Sequence, residues 1–359
     1  MSRSLSMLPV GVAATLALAV VGCSPAATGS PGASSNSGPA GAEACAWPRE
    51  VDASSSNVII PDAAAAYWID FFPMSPGLRI VLSGTFPDAR YASLQVYAPG
   101  GAPFTRNGVG SSLTDYQIAP DKGSVNPWQQ QAAAGGHYTV TLREDVAAGQ
   151  ANTMPIAPEG TTGGQGLIVY RVYLPAGGDL SKVALPSLTL QQGGQQQVLA
   201  PCTTFNLRAT APEPSSAAAP AATPSVTPSP SGAKPAQLQF FEDTIGTLAP
   251  NVDTSYALAY LTPPAAGDVV VIRAKAPTHA SGDHPSPWPD ATKDVRYWSM
   301  CMALATGVLP TVMNLSPSGG VDTGCRADDA VPLDPTGEYT FVLGTEVQRA
   351  TIETVADTT

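Results

Sequence analysis

The feature that most constrains the fold of this chain is a pattern of short segments that occurs twice in the same order. The pattern Asp-x-Arg-Tyr-x-Ser occupies residues 88–93 and again residues 294–299. In each copy it follows a Pro-led turn with a tyrosine and an apolar run, and it precedes a Tyr-Thr apolar run. Such self-similarity is the sequence signature of a repeated structural unit. We therefore predict an internal duplication.

The two copies agree in order and residue type along most of their length. The spacing differs where residues 124–136 in the first copy and residues 279–293 in the second are extra. Surface loops tolerate insertions, so both segments are predicted to be exposed loops. The matching segments are residues 61–67 with 250–256, 78–82 with 269–272, 88–93 with 294–299, 118–121 with 331–334, and 138–142 with 339–343.

Each copy consists of short runs rich in β-branched and aromatic residues, separated by Pro, Gly and Asp turns. In the first copy these runs are residues 78–82, 91–97, 138–142 and 167–173. Helical periods are missing between them, which favours an all-β sandwich or jelly roll over an α/β fold. We predict two tandem, internally duplicated domains of this kind, and one short C-terminal helix at residues 346–354.

The N-terminus has the pattern of a lipoprotein signal peptide. Arg3 is followed by an apolar run over residues 8–21, which has the length of a signal core. The sequence Val20-Val21-Gly22-Cys23 resembles a lipobox, in which the peptidase cuts before a lipid-modified cysteine; the alternative is an ordinary secretory signal. We predict a signal peptide at residues 1–22 and acyl chains such as palmitate on Cys23, which would anchor the protein on the extracytoplasmic face of the cell membrane.

Two segments have the composition of extended connections. Residues 23–44 are almost entirely small or turn-forming, and residues 209–235 are rich in Pro, Ala, Ser and Thr without apolar periodicity. Such segments cannot bury enough apolar area to offset their ordering entropy. We therefore predict a flexible tether, a first domain at residues 45–208, a Pro-rich linker, and a second domain at residues 236–359.

Four cysteines remain once Cys23 carries lipid. An even number of thiols in an exported chain favours disulfide bonds. A metal site would need CxxC or Cys/His spacing, which this sequence lacks. Three pairings are open, and we favour Cys45 with Cys202 and Cys301 with Cys325 because each pair then stays inside one predicted domain.

The charge of the chain limits the classes of partner. Charged residues make up 13% of the sequence, and the net charge of −11 is spread without an acidic run. Nucleic-acid binding requires clustered Lys and Arg, so we predict no nucleic-acid partner. We also predict no cofactor.

The paired segments resemble an uncharacterised group of exported lipoproteins from high-GC Gram-positive bacteria. More distantly, they are similar to paired β-sandwich domains of unknown function that carry an Asn-x-Asp-x-x-Tyr turn and an Arg-Tyr-Tyr-Ser strand. The resemblance covers most of residues 57–145 and 248–350. It implies a tandem β-sandwich and no particular activity.

The Asp-x-Arg-Tyr-x-Ser segments supply most of the candidate binding residues. An Asp and an Arg two positions apart on a strand point to the same side and can form a charge-assisted pair. A ligand carboxylate or a sugar could use that pair. The alternative, which we favour, is a salt-linked turn with the tyrosine packed inside. The candidates are Asp88, Arg90, Tyr91, Asp294, Arg296 and Tyr297.

Calcium is an alternative for the turn in the second copy. Asn251, Asp253 and Tyr256 lie together there. Oxygens from Asp328, Asp329 and Asp334 would join them if the loops converge. Asx residues more often close their own turn, and in our alignment Ile60 stands at the place of Asn251 in the first copy. We keep Asn251 and Asp253 as candidate binding residues and predict no metal.

The inserted loop of the second copy is another candidate metal or sugar site. Its ligand-type and stacking residues are His279, Asp283, His284, Trp288 and Asp290. Zinc could use the histidines and acids. Three prolines in the same loop favour a stiff, extended and solvated segment instead.

The sequence lacks a recognisable catalytic set. Its histidines are His137, His279 and His284, and no nucleophile elbow or metalloprotease motif occurs in a fitting context. A carboxylate pair could still cleave glycosides, but the sequence does not choose among Asp88, Asp115, Asp121, Asp294, Asp328 and Asp329. We predict a non-catalytic, surface-anchored protein that binds an envelope glycan, lipid or protein. The alternatives are an enzyme acting on envelope carbohydrate and a structural component of an envelope complex.

Overall fold

The computed structural model describes most of the two predicted domains. The described residues are 44–205, 238–242, 249–262, 264–265, 267–305, 307–315 and 321–356. The predicted signal peptide, Cys23, the tether up to residue 43 and the Pro-rich linker lie outside these ranges. Within these ranges, no helix has both the length and the apolar character needed to cross a bilayer.

The described chain is mostly β, with several antiparallel sheets and one short C-terminal helix. The strands of the first half are β1 Arg49–Val51, β2 Ala65–Pro73, β3 Arg79–Thr85, β4 Ala89–Tyr97, β5 Thr105–Arg106, β6 Val109–Gly110, β7 Ser112–Thr114, β8 His137–Arg143, β9 Thr153–Pro155, β10 Gln165–Pro175, β11 Ser187–Gln192 and β12 Gln195–Leu199. Those of the second half are β13 Phe241–Glu242, β14 Ala257–Leu258, β15 Val270–Lys275, β16 Ser299–Cys301, β17 Met313–Leu315, β18 Val321–Thr323, β19 Cys325–Ala327 and β20 Glu338–Leu343.

The strand predictions for the first half are confirmed. The four predicted runs correspond to β3, β4, β8 and β10, each extended by a few residues. The C-terminal helix is also present, as a 3-10 turn at Glu346–Gln348 followed by the helix α1 at Arg349–Ala356. Alternation of apolar and polar residues along β8 accounts for its position, because its buried positions fall on every second residue.

Two five-stranded sheets share one hydrophobic core in the first half. The first sheet has the order β1-β2-β10-β4-β7 and the second has the order β12-β11-β3-β8-β9. Their pairs are antiparallel except for β8 with β9, which is parallel. Trp68, Leu94 and Tyr170 of the first sheet lie in the same buried cluster as Leu82 and Val140 of the second.

Strand β4 is buried on both faces, since all nine of its residues are buried. Leu94 belongs to the core shared by the two sheets. On the opposite face, the Tyr97 hydroxyl donates to the Ala249 carbonyl at 2.9 Å. The side-chain amide of Asn251 donates to the Tyr91 hydroxyl at 2.9 Å. Residues of the second half therefore cover the outer face of the first sheet.

The second half contains antiparallel strand pairs: β13 with β14, β15 with β20, β16 with β19, and β17 with β18. Both disulfides are present with the pairing favoured from the sequence. Cys45 is bonded to Cys202, close to where the Ala46 amide donates to the Ala200 carbonyl. Cys301 is bonded to Cys325, and these two residues lie opposite each other in β16 and β19.

Candidate functional site

Arg90, one of the sequence candidates, forms a buried ion pair with the second half. Its side chain is 1% exposed, and Nη1 donates to both carboxylate oxygens of Asp328 at 2.7 Å. Nη2 contacts the Asp329 carboxylate, and Nε donates to the Gly282 carbonyl at 2.5 Å. The guanidinium is therefore occupied by contacts within the protein.

Arg296 makes the corresponding contact in the opposite direction. Its side chain is 6% exposed, and Nη1 donates to Asp115 Oδ1 at 2.6 Å. Asp115 begins a 3-10 turn at Asp115–Gln117 after β7, as Asp328 begins one at Asp328–Ala330 after β19. Burial raises the pKa of Asp115 to about 6, although Arg296 and the Ala92 amide act to lower that pKa.

The predicted pairing of each arginine with the aspartate two positions earlier is wrong. Asp88 lies 2.7 Å from His284 Nδ1, and Asp294 accepts hydrogen bonds from the amide and hydroxyl of Thr278 at 2.9 and 2.8 Å. The alternation of side chains along a strand does not apply here, because Asp88 precedes β4 and both Asp294 and Arg296 precede β16.

The candidate tyrosines also contact the opposite half. Besides the contact between Tyr91 and Asn251, the Tyr297 hydroxyl donates to Asp62 Oδ2 at 2.8 Å. The ring of Tyr173 lies between the two tyrosines, with centroid distances of 5.3 Å to Tyr91 and 5.4 Å to Tyr297. These side chains pack between the halves, which agrees with the packing role favoured from the sequence.

Asp62, rather than Ile60, makes a contact like that of Asn251 with a tyrosine five positions later in the chain. The backbone amide of Asn251 donates to the Tyr256 hydroxyl at 3.0 Å, and the backbone amide of Asp62 donates to the Tyr67 hydroxyl at 3.3 Å. Asp253 is in the turn that follows, where its amide donates to Asn251 Oδ1 at 3.2 Å.

The two loops predicted as insertions are exposed over much of their length, but parts of them are buried because the loops contact each other. Trp128 of the first insertion is fully buried, and its Nε1 donates to the Arg90 carbonyl at 3.0 Å. The amide of Trp288 in the second insertion donates to the Trp128 carbonyl at 2.8 Å. Asp283 accepts a hydrogen bond from the Gly177 amide at 2.6 Å.

Two groups of ligand-type side chains come together in the described residues, and members of each are already engaged with other groups. Asp62 lies near Cys301 and Cys325, but both cysteines are consumed by a disulfide. His279 lies near Asp328 and Asp329, and both of these carboxylates already form ion pairs with the Arg90 guanidinium. Asp334, a candidate for calcium, is in neither group and accepts hydrogen bonds from Thr336. Asp290, a candidate for zinc, is also in neither group and accepts hydrogen bonds from Thr292.

An apolar cleft lies between the outer face of the first sheet and residues 249–258. Its cavity volume is about 170 Å³. Ile69 of β2 and Val169 of β10, which are paired neighbours, form part of the apolar surface. Ile59 and Ile60 also line the cleft. The described lining includes Arg171 and contains no Asp, Glu or His.

Backbone strain marks the wall formed by Ile59 and Ile60. Their φ angles are +61° and +52°, a region that β-branched residues rarely occupy. The segment is fixed by the second half, because the two amides donate to the carbonyls of Val308 and Leu309, each at 2.8 Å. Strain of this kind is often found at binding sites.

Arg171 is a buried cation at this cleft, with 3% of its surface exposed. Nη2 donates to the Ala249 carbonyl at 2.8 Å and contacts the Tyr97 hydroxyl. Burial acts to lower the pKa of Arg171, but Tyr97 and Tyr173 raise it by more, so the guanidinium stays charged. Burial raises the pKa of Tyr97 to about 12, against the lowering effect of Arg171. In the described part of the chain, no carboxylate forms an ion pair with Arg171.

This cleft was not predicted from the sequence. One signal was available, because Arg171 is a lone charge in the apolar run of residues 167–173, and a charge inside a buried strand needs a partner. Comparison of the chain with protein-family models, curated proteins and solved structures gives no match. The resemblance to exported lipoproteins therefore stays a prediction.

Proposed function

We propose that this chain is a non-catalytic binding protein of the cell envelope, anchored by lipid on Cys23, that holds an apolar ligand in the cleft between its halves. The observation that carries the proposal is the cleft itself. It is lined mainly by apolar side chains, with a few polar groups at fixed positions, which is the usual composition of a small-molecule site.

Among the candidate ligands from the envelope, the lining favours a lipid chain over a glycan. Sugar hydroxyls require many polar partners, whereas Val58, Ile69, Val169 and Leu258 offer apolar contact. The absence of Asp, Glu and His from the described lining favours binding over hydrolysis, because glycoside cleavage uses a pair of carboxyl groups.

We also propose that the two halves are copies of one β-sandwich unit. Equivalent elements make equivalent contacts in the two halves, which supports a duplication. The strand pair β3–β8 corresponds to β15–β20. The contact pairs that correspond are Arg90–Asp328 with Arg296–Asp115, Tyr91–Asn251 with Tyr297–Asp62, and Asp62–Tyr67 with Asn251–Tyr256.

The N-terminal pattern supports a location at the membrane. The two disulfides support the extracytoplasmic side, because disulfides form in oxidising compartments. The Cys23→Ala variant tests the anchor. We expect this variant to appear in the soluble fraction after cell disruption, whereas the unaltered protein sediments with membranes. Retention of the variant in membranes would contradict lipid attachment at Cys23.

A filled-cleft variant tests the binding function. Replacing Ile69 with Trp inserts a larger apolar side chain into the cleft. The matched control is Val198→Trp, because Val198 is 63% exposed on β12 in the other sheet. Binding of octanol, octanoate and octyl phosphate would be measured by calorimetry with the full chain in phosphatidylcholine nanodiscs. We expect Ile69→Trp to weaken binding about tenfold or more, and Val198→Trp to leave it unchanged.

Equal binding by the unaltered protein and both variants would place the ligand elsewhere. Absence of binding by the unaltered protein would remove the proposed function. Circular dichroism of the two variants gives the fold control for the comparison.

A further inference from the structure

We infer that the ligand of this cleft is an amphipathic anion, with a short apolar chain and a carboxylate or phosphate that pairs with Arg171. This inference rests on the proposed function and specifies the ligand class. It concerns a residue that none of the sequence motifs included.

Arg171 is a buried cation without a described counter-charge. Arg171 is 3% exposed, and the hydrogen-bond partners of its guanidinium among the described residues are neutral. They are the Ala249 carbonyl at 2.8 Å, the Tyr97 hydroxyl, and the Gln95 side-chain oxygen at 3.4 Å. Buried charges in proteins are normally paired. A ligand anion would supply the missing counter-charge.

Asp62 does not serve as that counter-charge. Asp62 is buried, and its backbone amide donates to the Tyr67 hydroxyl. Its carboxylate oxygens accept hydrogen bonds from other groups. Oδ2 accepts from Tyr297 at 2.8 Å and from Ser299 at 2.5 Å, and Oδ1 accepts from the Ala64 amide at 2.8 Å. Its hydrogen bonds therefore stabilise the contact between the halves.

The surroundings of Arg171 keep its charge available in one position. The guanidinium carbon lies 5.5 Å from the ring centroid of Tyr97 and 5.8 Å from that of Tyr67. Cation–π contacts at these distances hold the group without neutralising it. A fixed, desolvated cation gives a charge-assisted hydrogen bond with little loss of side-chain entropy on binding.

The size of the cleft limits the apolar part of the ligand. Its cavity volume of about 170 Å³ is close to the roughly 150 Å³ of an apolar cavity that accommodates benzene. A chain of about six to eight carbons is therefore the expected occupant. Octanoate and octyl phosphate carry the two anionic groups in question, and octanol is the matched neutral ligand.

Calorimetry on the full chain in phosphatidylcholine nanodiscs tests the inference, with empty nanodiscs as the blank. At pH 7.5 we expect at least one of octanoate and octyl phosphate to bind about tenfold or more tightly than octanol. Tighter binding of octanoate would indicate a carboxylate ligand, and tighter binding of octyl phosphate would indicate a phosphate ligand. The Arg171→Met variant should reduce the ratio to about one, while Arg171→Lys should retain part of it.

The outcomes separate the two levels of the argument. Equal affinity of the unaltered protein for octanol and both anions would overturn the anion inference and leave the apolar site in place. Failure of all three ligands to bind would overturn the proposed function itself. The comparison of ligands on the unaltered protein decides the matter even if Arg171→Met fails to fold.

Discussion

Arg90 and Asp328 lie 238 positions apart in the chain, and their side chains form an ion pair with exposures of 1% and 0%. The pair joins the end of a strand in the first half to a 3-10 turn in the second. Arg296 and Asp115 make the opposite connection. Each half supplies one cation and one anion to these two contacts, so separating the halves would break both ion pairs.

Replacing Arg90 with Met should therefore destabilise the whole protein. Loss of one partner from a buried ion pair typically costs about 3–5 kcal/mol, because the other charge stays buried. Urea unfolding followed by circular dichroism would measure the change. The double variant Arg90→Met with Asp328→Leu should recover a large part of the loss.

Arg143 and Asp145 provide the matched control, because they form an exposed pair within the first half. Arg143→Met should cost no more than about 1 kcal/mol, as is usual for surface ion pairs. If Arg90→Met were no more destabilising than Arg143→Met, the buried pair would not be holding the halves together.

Arg296→Met should give a loss of stability that depends on pH. Burial raises the folded-state pKa of Asp115 to about 6, and removing the cation that lowers this pKa raises it further. A folded pKa above the unfolded value of about 3.9 means that ionisation costs stability as pH rises. The difference in unfolding free energy between the unaltered protein and the variant should thus be larger at pH 7.5 than at pH 4.5. An equal difference at both pH values would show that Asp115 does not respond to Arg296.

The two disulfides should differ in their contribution to stability. In the chain-entropy model, the Cys45–Cys202 bond, with a sequence separation of 157, stabilises by roughly 5 kcal/mol. The Cys301–Cys325 bond, with a separation of 24, stabilises by roughly 3 kcal/mol. Paired Cys→Ser variants, compared by urea unfolding, should follow this order. The reverse order would show that loop entropy is not the dominant effect.

His284 should titrate above the ordinary range of a histidine. Its hydrogen bond and its attraction to Asp88 raise the pKa of His284 above 6.5. The pair therefore stabilises fully below the unfolded pKa of about 6.5 and loses its effect as pH rises through the folded value. NMR titration of the ring protons would measure the pKa, which should return toward 6.5 in Asp88→Asn. An unchanged pKa in that variant would mean that His284 does not contact Asp88 in solution.

Local features of the first half could be predicted from the sequence because they follow from local periodicity. The run at residues 138–142 alternates in burial as strand β8. The cysteine pairing followed from counting the thiols and placing each bond inside one predicted domain. The domain boundaries and the duplication stay predictions, since residues 206–237 lie outside the described part of the chain.

The candidate site was harder to predict because its contacts join distant parts of the chain. The Asp-x-Arg pattern singled out Arg90 and Arg296 as candidates, but it assigned them the wrong partners. Sequence spacing describes neighbours along one strand, whereas Arg90 meets Asp328 through the packing of two halves. The cleft depends on the same packing, and its apolar residues resemble core residues in the sequence.

The most direct test of the central claim is methyl NMR of the full chain with labelled isoleucine side chains in nanodiscs. Ile59, Ile60 and Ile69 line the cleft, whereas Ile80 and Ile168 lie in the core between the two sheets. On addition of octanoate or octyl phosphate, the account predicts shifts in the first three methyl signals and unchanged core signals. Unchanged signals from all three cleft residues, or shifts confined to other isoleucines, would contradict it.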